Sequence, residues 1–266
     1  MKRALIIAGF LGLIFILVWK RQGNQEKSLY GSAMGVRWTL SWRGKGPPPE
    51  ILKREVSNVL EKWEQTLSQW RPGSDLSKYN RGNPATPDLA RVIAMADALQ
   101  KATGGAFDHH LLEQVHQAGF GPPGKGLDLS SIGKGFAVDR VGEHLRELGV
   151  NDFVFALAGE VLAGDGTWPV EIERPTIEDS KVFKVVALKN SAIATSGNYR
   201  QFSLDAGGLK THIIDPKSGK SVIRPLSSVT VRTKECATAS SWATALFVLG
   251  PEFTDYPEDL DVIWQP

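Results

Sequence analysis

The sequence contains very little cysteine: Cys236 is the only one among 266 residues. A single thiol excludes an intramolecular disulfide and a cysteine-rich zinc site. It also excludes a lipoprotein anchor, because no cysteine follows the hydrophobic run at the N-terminus. The Gly-x-Ser-x-Gly motif is absent as well, so the sequence gives no support for an α/β-hydrolase catalytic triad.

The sequence also lacks a charge excess of either sign. Lys and Arg number 31 and Asp and Glu number 29, which gives a formal net charge of +2. Nucleic-acid binding requires a clustered basic surface, so we expect no nucleic-acid partner. With 42% hydrophobic and 23% charged residues, the composition is that of a folded chain of one or two domains and excludes a disordered one.

The N-terminal segment combines a basic start with a hydrophobic run. Residues 4–19 carry no charge, and Lys2, Arg3, Lys20 and Arg21 flank them. No small-x-small cleavage site follows, so we expect an uncleaved hydrophobic helix over residues 1–21 that anchors the chain in a membrane. A cleaved signal peptide and a buried core helix are the alternatives. Residues 22–29 are polar and are expected to be a linker, and residues 30–266 form the remaining domain.

Hydrophobic periodicity predicts a mixed order of helices and strands. Period-2 alternation predicts a strand at 36–42, and helical spacing predicts helices near 52–67, 87–103, 131–148 and 236–249. Further strands are expected at 153–157, 168–172, 183–188 and 227–231. This order favours an α+β fold with mixed or antiparallel sheets and packed helices over a regular doubly wound sheet.

Two motifs resemble known sites but have simpler interpretations. Residues 119–126 approach a phosphate-binding P-loop, but Gly126 replaces the magnesium-binding Ser or Thr and two prolines remove backbone donors. We interpret this segment as a turn. If residues 108–117 are helical, His109, Glu113 and His116 share one face and form a possible metal site. A solvated helix face is the simpler interpretation.

The segment Asp128–Gly135 combines a strand-like start, two serines and a helix start. A helix N-terminus offers free N–H groups and a positive dipole end, and Lys134 adds a charge one turn later, so the segment suits a phosphate. Its alternative interpretation is an ordinary N-cap formed by Ser130 or Ser131. The clusters 195–199 and 212–219 are both typical of β-turns, and neither indicates a function alone.

Taken in order, seven segments resemble the ApbE family of FAD:protein FMN transferases. The similarity spans roughly residues 30–250, and its segments are Gly31–Gly35, Ser68–Asn80, Gly105–Asp108, Asp128–Gly135, Ala194–Gly197, His212–Pro216 and Ala243–Gly250. The resemblance implies the ApbE-like, T-fold-related architecture. It also implies magnesium-dependent transfer of the FMN half of FAD onto a Thr or Ser hydroxyl of an acceptor protein, with release of AMP.

The resemblance also assigns residues by position. Those implied to contact the flavin nucleotide are Met34, Trp70, Ala106, Phe107, Asp108, Asp128, Lys134 and Ile214. Ser131, Ser240 and Thr244 occupy positions around the magnesium ion, and His212 matches a histidine that assists the attacking hydroxyl. Trp70 and Phe107 are expected to offer aromatic surfaces for stacking.

One departure from the family pattern concerns the metal. The family has an aspartate four residues before the final threonine, whereas this chain has Ser240, and a neutral hydroxyl is a poorer magnesium ligand. Weaker metal binding, ligation by another acid, and an FAD-binding protein with little transferase activity are the possible consequences. Hydrolysis of the FAD pyrophosphate is a further alternative activity.

The resemblance also suggests a location and partners. Many family members are exported and flavinylate subunits of redox complexes. We therefore expect the N-terminal helix to hold the domain on the periplasmic side of the cytoplasmic membrane. The acceptor is expected to be a protein of a redox complex.

Overall fold

A seven-stranded antiparallel sheet forms the centre of the fold. The computed structural model describes residues 26–176, 181–198, 202–205 and 208–265. The sheet has the strand order β1-β2-β3-β4-β7-β12-β13, with every neighbouring pair antiparallel. Its strands are β1 (Lys27–Ala33), β2 (Val36–Trp42), β3 (Phe153–Leu157), β4 (Glu160–Ala163), β7 (Ser191–Gly197), β12 (Ser228–Thr233) and β13 (Asp261–Gln265).

Three two-stranded sheets accompany the central sheet. They pair β5 (Trp168–Glu173) with β6 (Val182–Leu188), β8 (Phe202–Asp205) with β9 (Gly208–Thr211), and β10 (Ile214–Asp215) with β11 (Lys220–Ser221). The described helices are α1 (Pro49–Leu67), α2 (Asp75–Asn80), α3 (Pro87–Ala102), α4 (Leu112–Gln117), α5 (Ser130–Glu147) and α6 (Cys236–Leu249).

The central sheet is covered on both faces, so its inner strands β3 and β4 are buried along their whole length. Helices α5 and α6 pack on one face, and α1 packs on α5 and β1. On the other face, alternate side chains of β3 and β4 pack against the apolar side of the β5–β6 hairpin. All five residues of β3 are therefore buried.

The predicted periodicity is confirmed for the long elements. Helix α6 has the expected limits of 236–249, and α3 begins after Thr86, whose hydroxyl accepts the N–H of Leu89 at 3.4 Å. The α+β architecture with antiparallel sheets is also observed. Strand β1 begins at Lys27, so residues 27–29 of the segment expected to be a linker pair with β2 instead.

The expected N-terminal helix, residues 1–21, lies outside the described residues. Within the ranges that the structure describes, no helix combines the length and the apolar character needed to cross a bilayer.

Candidate functional site

A cleft lies where α5, α6 and the segment before β10 meet the loop after α3. It contains about 360 Å³ of space, which is open to solvent. The predicted site residues that line it are Ala106, Asp108, Asp128, Ser131, His212, Ile214 and Thr244. The other lining residues are Leu111, Val115, Ser130 and Ile213. The fold thus brings together residues that are up to 138 positions apart, Ala106 and Thr244 being the extremes.

Asp128 supplies a buried carboxylate to this cleft. Its Oδ1 accepts the N–H of Ser130 at 2.8 Å, which places the carboxylate directly before the N-terminus of α5. Among the described residues, its Oδ2 has no hydrogen-bond partner of normal geometry. Burial raises the pKa of Asp128, and contacts from Ser130 and Gln69 partly oppose that shift. A cation or a hydrogen-bond donor bound in the cleft would satisfy Oδ2.

The predicted serine N-cap of α5 is wrong. The helix begins at Ser130 after Leu129, and the side chain that accepts a hydrogen bond there is Asp128. A carboxylate next to a helix N-terminus is stabilised by the helix dipole. The sequence predicts polar residues at this helix start but not which of them caps it, because Asp128 stands in a strand-like Leu-Asp-Leu run.

Thr244 joins the cleft from α6. Its hydroxyl donates to the carbonyl oxygen of Ser240 at 3.2 Å and lies 3.3 Å from Oγ of Ser196 on β7. Ser131 and Thr244 both line the cleft, so two of the three residues predicted around the metal meet there. Ser240 is buried one turn earlier and is not part of the lining.

Close packing of α5 on α6 sets the position of Thr244. A Cβ added at Gly135 would lie 2.5 Å from the carbonyl oxygen of Cys236, so only glycine allows this approach. Asp139 of α5 accepts the N–H groups of Cys236 at 2.7 Å and of Ala237 at 2.9 Å. Helix α5 therefore supplies the cap for the N-terminus of α6, through a residue that local motif reading does not reveal.

Lys134 does not line the cleft, although the resemblance places it beside the flavin nucleotide. Its Nζ lies 2.6 Å from Oε1 of Glu160 on β4, and the Glu160 side chain is 8% exposed. Because Glu160 is buried, loss of Lys134 would leave an unpaired buried carboxylate. Glu160 therefore determines where the Lys134 ammonium group lies.

Met34 and Trp70 lie outside the cleft but are linked through Glu64. Met34 and Gly35 both have positive φ, 51° and 73°, as a tight two-residue hairpin turn requires. The N–H of Met34 donates to Oε2 of Glu64 at 2.9 Å, and Arg71 pairs with the same oxygen at 3.0 Å. Trp70 is 63% exposed beside Arg71, so its ring is available to a ligand.

The predicted stacking role of the Phe107 ring is wrong. Phe107 is 1% exposed, its N–H donates to Thr103 Oγ1 at 3.1 Å, and its ring belongs to the main hydrophobic core. The apolar ring is held in the core because burial of an aromatic side chain is strongly favourable. Only the backbone of Phe107 is therefore available to contact a ligand in the cleft.

His212 faces the cleft just before β10. Its ring lies 6.0 Å from that of Phe120, edge to face, and the residue is half-buried. The predicted helical face of His109, Glu113 and His116 is wrong, because α4 begins only at Leu112. His109 instead lies buried beside Asp108 and His110.

Comparisons with known proteins show which family and fold the chain shares. A family model described as "ApbE family" matches residues 34–126 and 122–263. The chain is 28% identical to an FAD:protein FMN transferase of Vibrio cholerae over 91% of this chain and 87% of the relative. It is 29% identical to one of Haemophilus influenzae over 93% and 88%.

Solved structures show the same fold. The flavinyl transferase ApbE of Pseudomonas stutzeri, in its apo form, superposes with a TM-score of 0.75 at 29% identity, covering 86% of each chain. The flavin transferase ApbE of Vibrio cholerae gives a TM-score of 0.76 at 27% identity, covering 86% of this chain and 89% of that one. The residues matched by the family model include every residue that lines the cleft.

Proposed function

This chain belongs to the ApbE family, and we propose that it transfers the FMN moiety of FAD onto a Thr or Ser hydroxyl of an acceptor protein. The reaction is magnesium-dependent and releases AMP. The observation that carries the proposal is the cleft, in which a histidine, two carboxylates and three hydroxyls meet beside the N-terminus of α5. The names of the relatives support the class of reaction.

The bonds that change are the following. The hydroxyl oxygen of the acceptor attacks the phosphorus on the FMN side of the pyrophosphate and forms a phosphoester bond. The bond between that phosphorus and the bridging oxygen breaks, and its electron pair leaves with AMP. His212 is in the cleft and accepts the proton that the hydroxyl loses.

The N-terminus of α5 is the proposed site for the pyrophosphate. Ser130 and Ser131 lie in its first turn and line the cleft, and the free N–H groups and dipole of an 18-residue helix favour an anion there. Ala106 and Ile214 supply apolar walls. Met34 and Trp70 are proposed to contact the flavin ring outside this lining; Glu64 binds the N–H of Met34 and the side chain of Arg71, which follows Trp70.

The residues of the cleft fit a magnesium ion. Oxygen ligands are what Mg²⁺ requires, and Ser131, Thr244 and the unsatisfied Oδ2 of Asp128 supply them in one cleft. We propose that Asp128 provides the negative charge that Ser240 lacks. When bound, magnesium neutralises charge on the pyrophosphate.

Non-catalytic FAD binding is the second candidate function, and Ser240 favours it. Ser240 replaces the usual carboxylate and lies outside the cleft lining, so the metal site has lost one charge. In this candidate function, a chain whose metal site lacks that charge binds FAD but does not transfer its FMN half. Hydrolysis of FAD to FMN and AMP is the third outcome, in which water replaces the acceptor hydroxyl.

We also propose an extracytoplasmic location. The hydrophobic run at residues 4–19, flanked by basic residues, suits an anchor in the cytoplasmic membrane. The periplasmic side is what the family resemblance implies for the domain. The acceptor is proposed to be a protein of a redox complex. Fractionation of cells into membrane and soluble parts, with protease access from the periplasm, tests this placement.

One assay separates the three activities. The chain is incubated with FAD, Mg²⁺ and a threonine-bearing acceptor protein, and the acceptor is examined for flavin fluorescence in a denaturing gel. Labelled acceptor with released AMP supports transfer. Bound FAD with neither product supports the binding protein, and free FMN with AMP and an unlabelled acceptor supports hydrolysis.

A further inference from the structure

Three consecutive residues at the edge of the cleft bring metal-binding atoms together. One carboxylate oxygen of Asp108 and one ring nitrogen each of His109 and His110 all lie within 4.8 Å of one another. Within the ranges that the structure describes, this is the one group of three or more His, Cys, Asp or Glu residues with that geometry. Oδ1 of Asp108 already lies 3.0 Å from Nδ1 of His110.

His109 is an unusual member of this group, because its side chain is 0% exposed. Among the described residues, neither of its ring nitrogens has a hydrogen-bond partner of normal geometry. A buried polar group without a partner costs stability. Such a nitrogen is satisfied when a ligand binds it.

Asp97 of α3 occupies the place of an outer carboxylate. Its Oδ1 lies 3.1 Å from Nε2 of His109, although the direction is not that of a hydrogen bond. Histidines that bind metals commonly direct their second nitrogen at a carboxylate, which fixes the orientation of the ring.

We propose that Asp108, His109 and His110 bind a divalent transition metal, with Zn²⁺ as the representative ion. Two imidazoles and one carboxylate are ligands that Zn²⁺ accepts, whereas Mg²⁺ prefers oxygen alone. Zinc–ligand bonds of about 2.0–2.1 Å bring tetrahedral ligand atoms about 3.4 Å apart, so the three side chains need to close by roughly 1 Å.

The exposure of the three side chains suits a site that opens to solvent on one side. His110 is 54% exposed and gives the ion an entry path, while Asp108 is 20% exposed and His109 is buried. This site differs from the proposed magnesium position in its ligands, because Ser131 and Thr244 take no part in it.

The test measures metal binding and not transfer. The full chain, purified without a histidine tag and stripped of metal, is titrated with Co²⁺ in saturating Mg²⁺, which keeps oxygen-only sites filled. We expect visible absorption bands for one Co²⁺ per chain, and their loss when Zn²⁺ is added. A wild-type chain that shows no such bands overturns the proposal.

Variants assign the ion to these residues. His110→Thr changes an exposed side chain, so the fold is retained, and we expect the affinity for Co²⁺ to fall at least about tenfold. His144→Gln is the matched control, because His144 also contacts carboxylates, those of Glu55 and Glu147. Unchanged binding in His110→Thr, or an equal loss in His144→Gln, contradicts the assignment.

Discussion

At the scale of single residues, each proposed role in the cleft belongs to very few side chains. Thr244 contributes one hydroxyl, and that hydroxyl is held by the Ser240 carbonyl and by Ser196 of the neighbouring strand. A side chain fixed by two contacts from different elements is pre-organised for a ligand. Loss of its oxygen should therefore affect binding more than stability.

Thr244→Val keeps the shape of the side chain and removes the oxygen. We expect the affinity for Mg²⁺ to fall about 10- to 100-fold and the transfer rate to fall with it. Magnesium titration of the initial rate measures both. Thr238→Val removes a hydroxyl from a half-buried residue in the first turn of the same helix and should leave both values unchanged. Full activity in Thr244→Val would remove Thr244 from the site.

Ser240→Asp restores the carboxylate of the family pattern. Unit charges about 4 Å apart near a protein surface interact by about 4 kcal/mol, so even after a desolvation cost we expect Mg²⁺ affinity to rise at least about tenfold. Ser240→Asn serves as the uncharged control. A magnesium titration that is identical in wild type and Ser240→Asp shows that residue 240 does not face the ion.

At the scale of elements, the contact between α5 and α6 determines where Thr244 lies. Two features maintain it: the glycine at position 135 and the carboxylate of Asp139 at the N-terminus of α6. Neither residue lines the cleft. Both are therefore expected to act on the site through the fold.

Gly135→Ala tests the close approach of the helices. The new Cβ would lie under 3 Å from backbone atoms of Cys236 and Ala237, which cannot rotate away, so we expect a loss of about 1–3 kcal/mol in the free energy of unfolding. Urea denaturation measures it. A Cβ added at Gly133 of the same helix would lie 3.6 Å from its nearest neighbour, so Gly133→Ala should be neutral or stabilising. Equal losses of stability at both positions would contradict the packing account.

Asp139 makes the stability of this contact depend on pH. Burial raises its pKa from 3.8 to about 6, although the N–H groups of Ala237 and Cys236 oppose the shift. Its pKa is higher in the folded chain than in the unfolded chain. The contribution of Asp139 to the free energy of unfolding is therefore complete below about pH 4 and is lost as the pH rises through about 6.

We expect the free energy of unfolding of the wild type, relative to Asp139→Asn, to fall by up to about 3 kcal/mol between pH 4 and pH 7. The variant cannot titrate at this position, so it removes the contributions of all other groups from the comparison. Urea unfolding of both proteins across that range gives the difference. Parallel pH profiles would show that Asp139 does not titrate in this window.

At the scale of the whole molecule, the sequence predicts the long elements well. Their apolar period matches their geometry, as in α6, where the expected limits 236–249 are those observed. The sequence predicts no helix at α2, because six residues carry too little periodicity. Of the helix assumed at residues 108–117, only Leu112–Gln117 is helical.

The candidate site was only partly predictable, because the cleft is assembled by tertiary contacts. Motif similarity identified Asp128, His212 and Thr244, which share one cleft. It could not identify Glu64, Glu160 or Asp139, since each acts on a residue at least 26 positions away along the chain. Likewise, a hydrophobic ring in a motif does not reveal whether it faces a ligand or the core, as Phe107 shows.

The measurement that tests the central claim most directly is the intact mass of an acceptor protein after incubation with the chain, FAD and Mg²⁺. The proposed reaction predicts a mass gain equal to one FMN phosphoester, matched by one AMP released, and no gain when the acceptor threonine is replaced by valine. It also predicts that His212→Asn slows the gain. An acceptor whose mass is unchanged while FAD remains bound and intact would contradict transfer.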